Sequence, residues 1–281
     1  MYEITIENKY GDKLKLTGNH NYTVKATGLS PVSSNIVTST VANYGGERYV
    51  SSRQNKRNIV LTIYINEPVE SNRVELYKYI KSDDQIRIYY KNGARDVYID
   101  GYVESFETNL FEQIQSAQVS IICPQPQFVD VLGKTVRLSS NIELFTFPFY
   151  ANEAAPIVFS QLDNNSRLVI NGSDDEIGFV YEISCHGEVK NPFIYHTESN
   201  SYIKINSTFH NGDVVTIDTR HSKKSITKDY LGVKTNLINS LDSISKWIQL
   251  QSGYNHLVQS SDYGSDDMES IISYTNEYEG V

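Results

Sequence analysis

The chain has 281 residues, with 34 acidic against 25 basic side chains and a net charge of −9 at pH 7. That length accommodates about two domains of roughly 100–150 residues, and the acidity excludes general nucleic-acid binding, which draws its affinity from Lys and Arg displacing counterions. No apolar run approaches the ~20 residues that span a bilayer, and the two cysteines are too few for a disulfide framework.

From the N-terminus, Met1 to Glu7 alternates apolar with acidic or polar residues and lacks a basic region followed by an apolar stretch, so it does not read as a secretory leader. The period of two then dominates. Ile59, Leu61, Ile63 and Ile65 share one strand face, and Ile86, Ile88 and Tyr90 repeat the pattern. So do Ala117, Val119, Ile121 and Cys123, then Phe179 to Cys185, Tyr202 to Ile205 and Val214 to Ile217. Turn signals separate these runs: Asn43-Tyr44-Gly45-Gly46, Lys91-Asn92-Gly93, Asn171-Gly172 and Asn211-Gly212-Asp213. Short strands at this spacing predict β-sandwiches or barrels.

One segment departs from that period. The spacing predicts a helix over 68–81, with Pro68 in its first turn, acidic residues toward its start, Lys78 and Lys81 toward its end, and a stripe of Val69, Arg73, Leu76, Tyr77 and Ile80. A weaker helical or turn segment is read at Leu237 to Ser245. The Cys123-Pro124-Gln125-Pro126-Gln127-Phe128 stretch ends a strand and marks a boundary, giving domains 1–130 and 131–281. Charge changes there: 14 basic and 15 acidic residues precede it, 11 and 19 follow, and no Lys or Arg follows Lys246. The expected fold class is mainly β, in two domains, the first a β-sandwich with one α-helix.

Reactive chemistry finds little support. Asp83-Asp84, Asp174-Asp175-Glu176 and Asp266-Asp267 sit in turn-rich stretches and lack calcium-loop spacing. Cys185-His186 has no second Cys or His within four residues, and zinc takes about four convergent ligands. Asp218, His221 and Ser222 hold the letters of a hydrolase triad within five residues, without the Gly-x-Ser-x-Gly elbow. No phosphate-cradling glycine motif is present. The expectation is no catalytic, cofactor or metal site, with Cys123 and Cys185 as reduced, buried thiols of a protein made in a cytoplasm. The one sizeable basic cluster is Arg48, Arg53, Lys56 and Arg57, with Tyr49 among them. It reads either as contact with an acidic partner surface, a second copy of the chain included, or as a solvated loop. The 21 tyrosines against one Trp likewise read as filled sheet faces, as protein interfaces or as a sugar-stacking platform.

The order of features resembles the distal tail protein family of long-tailed bacteriophages. In the first half the matching elements are Gly45-Gly46, the basic loop ending Arg57-Asn58-Ile59, the helix ending Leu76-Tyr77-Lys78-Tyr79-Ile80, and the strand closing on Cys123-Pro124-Gln125-Pro126-Gln127-Phe128. In the second half they are Asn191-Pro192, Asn211-Gly212-Asp213, Ile217-Asp218-Thr219-Arg220 and Lys223-Lys224-Ser225. The series Asn236, Leu241, Ser245, Trp247, Leu250, Gly253, Asn255 and the ending Tyr274 to Val281 also match. These are structural signatures, and none carries over as an active site. The resemblance implies an N-terminal sandwich that assembles as a hexameric ring and a C-terminal galectin-like β-sandwich that projects from it. It implies a place in the virion's tail tip, between the tail tube protein and a tail-associated, tail-tip or baseplate protein, with a receptor-binding protein as a further partner. DNA would pass through the lumen, with neither specific nucleic-acid binding nor a membrane involved. The competing readings are a carbohydrate-binding module for bacterial surface polysaccharide, stacking through Tyr or Trp247, and a cell-wall hydrolase.

Overall fold

The computed structural model describes residues 2–40, 42, 45–138, 140–143, 160–163 and 166–281; of the turn at 43–46, Asn43 and Tyr44 lie outside them. The elements in chain order are β1 (Glu3–Asn8), β2 (Lys13–Lys15), β3 (Tyr22–Thr27), β4 (Ser34–Thr40), β5 (Glu47–Gln54), β6 (Arg57–Ile65), α1 (Val69–Tyr79), β7 (Gln85–Lys91), β8 (Asp96–Thr108), β9 (Ser116–Cys123) and β10 (Phe128–Asp130). They continue as β11 (Lys134–Arg137), β12 (Ser140–Glu143), β13 (Ser160–Asp163), β14 (Arg167–Asn171), β15 (Val180–Cys185), β16 (Val189–Lys190), β17 (Phe193–His196) and β18 (Ser201–Lys204). The last are β19 (Thr208–Phe209), β20 (Val214–Asp218), β21 (Ser225–Tyr230), β22 (Val233–Asn236), β23 (Gly253–Ser260), β24 (Met268–Tyr274) and β25 (Glu277–Tyr278). The chain divides into two compact units: Met1–Val131 with Glu277–Val281, and Leu132–Asn276.

In the first unit one sheet runs β2-β1-β7-β8-β9-β6-β3, and β10 adds to β8 and pairs with β25. The alternating residues read from the sequence all point inward: Ile59, Leu61 and Ile63 of β6, Ile86 and Ile88 of β7, and Ala117, Val119, Ile121 and Cys123 of β9 are buried in one core. The second expected domain, 131–281, is corrected at its end. Tyr278 of β25 pairs with Phe128 of β10, so the last five residues belong to the first unit.

The helix α1 begins at Val69, with Pro68 in the extended capping position, and stops before Ile80; Lys81 lies outside it. Its buried residues are Asn72 and Leu76, while Tyr77 is exposed. Asn72 turns inward because it has partners there: its amide donates to Asn66 O at 2.9 Å. The Tyr22 hydroxyl donates to the Glu75 carboxylate at 2.8 Å and lies 2.9 Å from Asn72 O. A polar residue was thus outside the apolar stripe that the sequence defined.

The second unit is a two-layer antiparallel sandwich. A six-stranded sheet, β11-β24-β15-β20-β21-β22, faces a four-stranded sheet, β14-β23-β17-β18. Tyr181, Ile183, Val215, Ile217 and Ile272 of the first share a core with Val169, Ile194, Ile203 and Leu257 of the second. The segment read as weakly helical at Leu237 to Ser245 forms one 3-10 turn, Ile238–Ser240.

Candidate functional site

The hairpin of β4 and β5 stands apart from both cores. Nearly every one of its side chains is exposed, among them Ile36, Val37, Tyr49 and Val50. A bulge decides what each face carries. Ser51 pairs with Val37 and Tyr49 with Thr38, which leaves Val50 unpaired. Residues paired across a ladder share a face. Arg48 opposes Ser39 and Arg53 opposes Asn35, and Asn35, Val37 and Ser39 alternate onto one side. Arg48 and Arg53 therefore lie on the same face, although five residues apart they would fall on opposite faces of an unbroken strand. The other face carries Ile36 and Tyr49, whose hydroxyl donates to Ser52 Oγ at 2.9 Å. The signal missed in the sequence was the extra residue, which a count by two cannot register.

The hairpin's base is fixed. Asn55 N donates to Ser33 O at 3.1 Å, Gln127 Nε2 donates to Gln54 Oε1 at 2.7 Å, and Gln54 Nε2 donates to the Glu279 carboxylate. Lys56 is exposed beside it.

Arg57 does not belong with the other three. It is 1% exposed, and its guanidinium donates to four carbonyls: Pro126 O at 2.7 Å, Gly28 O at 2.6 Å, Ser30 O at 2.7 Å and Glu279 O. Its plane also lies 4.6 Å from the Phe128 ring centroid. Burial lowers its pKa, though an arginine so placed remains charged. The expectation of Arg57 in an exposed interface is thus corrected: a planar fork with five donors is what joins three chain segments in the interior. Gly28 has φ +82°, and a Cβ there would meet Asn58 O at 2.0 Å, so only glycine brings that carbonyl to the arginine.

The reactive candidates do not converge. The carboxylate of Asp218 is held by Arg220, with Nη2 to Oδ2 at 2.6 Å and Nε to Oδ1 at 2.9 Å; His221 and Ser222 are exposed. Burial pushes the Cys123 and Cys185 thiols up to about 12, so both stay protonated at neutral pH. Among the described residues no group of three or more His, Cys, Asp or Glu is placed to hold a metal. His196 and His256, scattered in the sequence, do meet: Glu198 takes His256 Nδ1 at 2.6 Å and His196 Nε2 at 3.1 Å. Asn255 Oδ1 also lies 3.0 Å from His196 Nε2. This network ties β17 to β23. Trp247 is partly buried against the second core and so is no open stacking platform.

Comparison with known proteins places each unit. Residues 14–123 match the phage tail protein RIFT-related domain. Residues 172–278 match the C-terminal domain of the siphovirus-type tail component. The chain belongs to the distal tail protein family of siphophages. The crystal structure of the Dit protein (gp 19.1) of phage SPP1 shares its fold at a TM-score of 0.67, with 13% identity over 98% of each chain. A chain of the phage P2 baseplate in its activated, calcium-bound conformation does so at 0.51, with 11% identity over 100% of each. A comparison with curated protein sequences returns no match. A distal tail protein is a structural component of the phage tail and baseplate.

Proposed function

We propose that copies of this chain assemble into a ring, a hexamer as the family resemblance implies, that joins the tail tube protein to the tail-associated, tail-tip or baseplate proteins and lets DNA pass through its lumen. Its work is geometric, with no reactive group involved. It would be made in the cytoplasm of the bacterial host and reside in the virion tail tip, with a receptor-binding protein as a further partner.

The observation that carries this reading is the β4–β5 hairpin. A two-stranded hairpin is marginal in water alone, and this one exposes apolar side chains on both faces. A neighbouring surface would shelter them. Arg48, Arg53 and Lys56 would then contact an acidic partner surface. The charge balance supports the lumen: a wall that is near-neutral or acidic does not hold a polyanion. Negative-stain images and sedimentation of the purified protein test the assembly. An annular particle that is lost on deleting residues 34–54 is the expected result; monomers at every micromolar concentration tested would refute it.

A carbohydrate-binding function has one observation in its favour. Tyr195 and Tyr202 pair across β17 and β18 and are partly exposed, while Ile194 and Ile203 point inward. Saturable binding of purified cell-wall polysaccharide, reduced by Tyr195→Ala, would support it, and no binding at millimolar sugar would end it.

A further inference from the structure

The first unit has a second exposed apolar feature, and it lies at the opposite end of the same strands. The β8–β9 loop, residues 109–115, presents Leu110, Phe111 and Ile114 to solvent, with Phe111 fully exposed. Its position follows from the register. Arg57, two residues from the hairpin's base, opposes Cys123, while Tyr64 opposes Ser116, where the loop ends. Ile65 N also donates to Gln115 O at 3.0 Å. Hairpin base and loop are therefore separated by the length of β6, about 25 Å at 3.3 Å per residue.

The loop is held in shape. Asn109 Oδ1 accepts from Ser116 N at 2.7 Å, Asn109 Nδ2 donates to the Glu112 carboxylate at 2.6 Å, and Gln115 Nε2 donates to Leu110 O at 3.3 Å. Glu67, Glu107 and Glu112 are exposed around this end of the unit. The hairpin end carries Arg48, Arg53 and Lys56 beside its own apolar residues. The loop end sets these three carboxylates against Lys25, which lies over the Tyr64 ring, and the hairpin end sets three cations against Glu47, so the two apolar ends differ in the sign of their net charge.

We infer that the 109–115 loop, with Glu67, Glu107 and Glu112, is the surface that receives the β4–β5 hairpin of a second copy of this chain. The inference rests on the ring reading and adds to it the receiving surface. Charge decides against the symmetric alternatives: a two-fold pairing through the arginine face would set Arg48 and Arg53 of each copy against those of the other, and one through the Ile36 and Tyr49 face would set Glu47 against Glu47. Hairpin on loop is a head-to-tail contact, and such contacts close into rings when the rotation allows. A loop already held in shape loses little freedom on docking.

Charge reversal tests this, read by sedimentation velocity at low ionic strength. Arg48→Glu with Arg53→Glu, and separately Glu107→Lys with Glu112→Lys, each raises the apparent dissociation constant about tenfold or more. An equimolar mixture of the two variants recovers assembly, because each then offers the end the other lacks. Phe111→Ser weakens association without any change of charge. All these positions are exposed, so thermal midpoints stay at the wild-type value. Wild-type rings unaffected by either reversal would overturn the loop assignment and leave the ring standing. Failure of the mixture to recover would also overturn it. A wild-type protein that remains monomeric would remove both.

Discussion

Arg57 carries a full charge into the interior, where carbonyl dipoles bond its guanidinium directly and the Glu279 carboxylate adds a Coulombic attraction. Four of its five donors are used. Removing the guanidinium leaves those carbonyls buried and unpaired, at about 1–3 kcal/mol for each that water does not reach. Arg57→Met is therefore expected to lower stability by about 3 kcal/mol or more, measured by urea denaturation. Arg57→Lys should recover only part of this, since an ammonium has three donors and no planar fork. A neutral outcome for Met would mean that the clamp is dispensable. The role was not legible in the sequence, where Arg57 stood one residue from Lys56 and four from Arg53. Strand alternation buries it: it begins β6, on the face of Ile59 and Leu61.

Among the elements, the hairpin shows how one residue redistributes chemistry. Val50 is unpaired, so Arg48 and Arg53, five residues apart, share a face. Inserting one residue between Val37 and Thr38 gives Val50 a partner, removes the bulge and turns one arginine to the other side. The expected outcome is weaker self-association, comparable to the double reversal of those arginines, with the thermal midpoint of the core unchanged. Unchanged association in sedimentation velocity would show that the shared face is not required. The core strands were legible because burial on one face imposes a period of two. The hairpin was not, because neither face is buried and no hydrophobic period marks it. The helix was legible in place and in most of its facing, with Val69, Leu76 and Ile80 at the core; Tyr77 is exposed instead, and Asn72 is buried because hydrogen bonds available only in the folded unit offset the cost of burying an amide.

On the scale of the molecule, the chain leaves its first unit at Val131 and returns to it at Glu277. The last segment is gripped there: Arg95 donates to Gly280 O and lies 4.1 Å from the Tyr278 ring centroid, Arg57 donates to Glu279 O, and Val281 N donates to Leu29 O at 3.2 Å. Deleting residues 277–281 therefore removes partners from two arginines and from β10. The first unit is expected to melt at a lower temperature, by about 4–8 °C per kcal/mol lost, while the transition of the second unit holds its place in differential scanning calorimetry. No shift in either transition would show the tail to be passive.

The sequence by itself determined the mainly-β class, the existence of the helix, the strands that fill both cores and the family resemblance. Each of these is written in local periodicity, turn residues or short motifs, which act over a few neighbouring positions. Only the tertiary structure decided that Arg57 is a buried clamp, that Arg48 and Arg53 share a face, that His196 and His256 meet at Glu198, and that the chain's end closes its beginning. Those outcomes depend on pairing across the chain, from Ser39 opposite Arg48 within one hairpin to Glu279 O, 222 residues from Arg57, and no local pattern encodes which carbonyl, bulge or carboxylate a side chain will find.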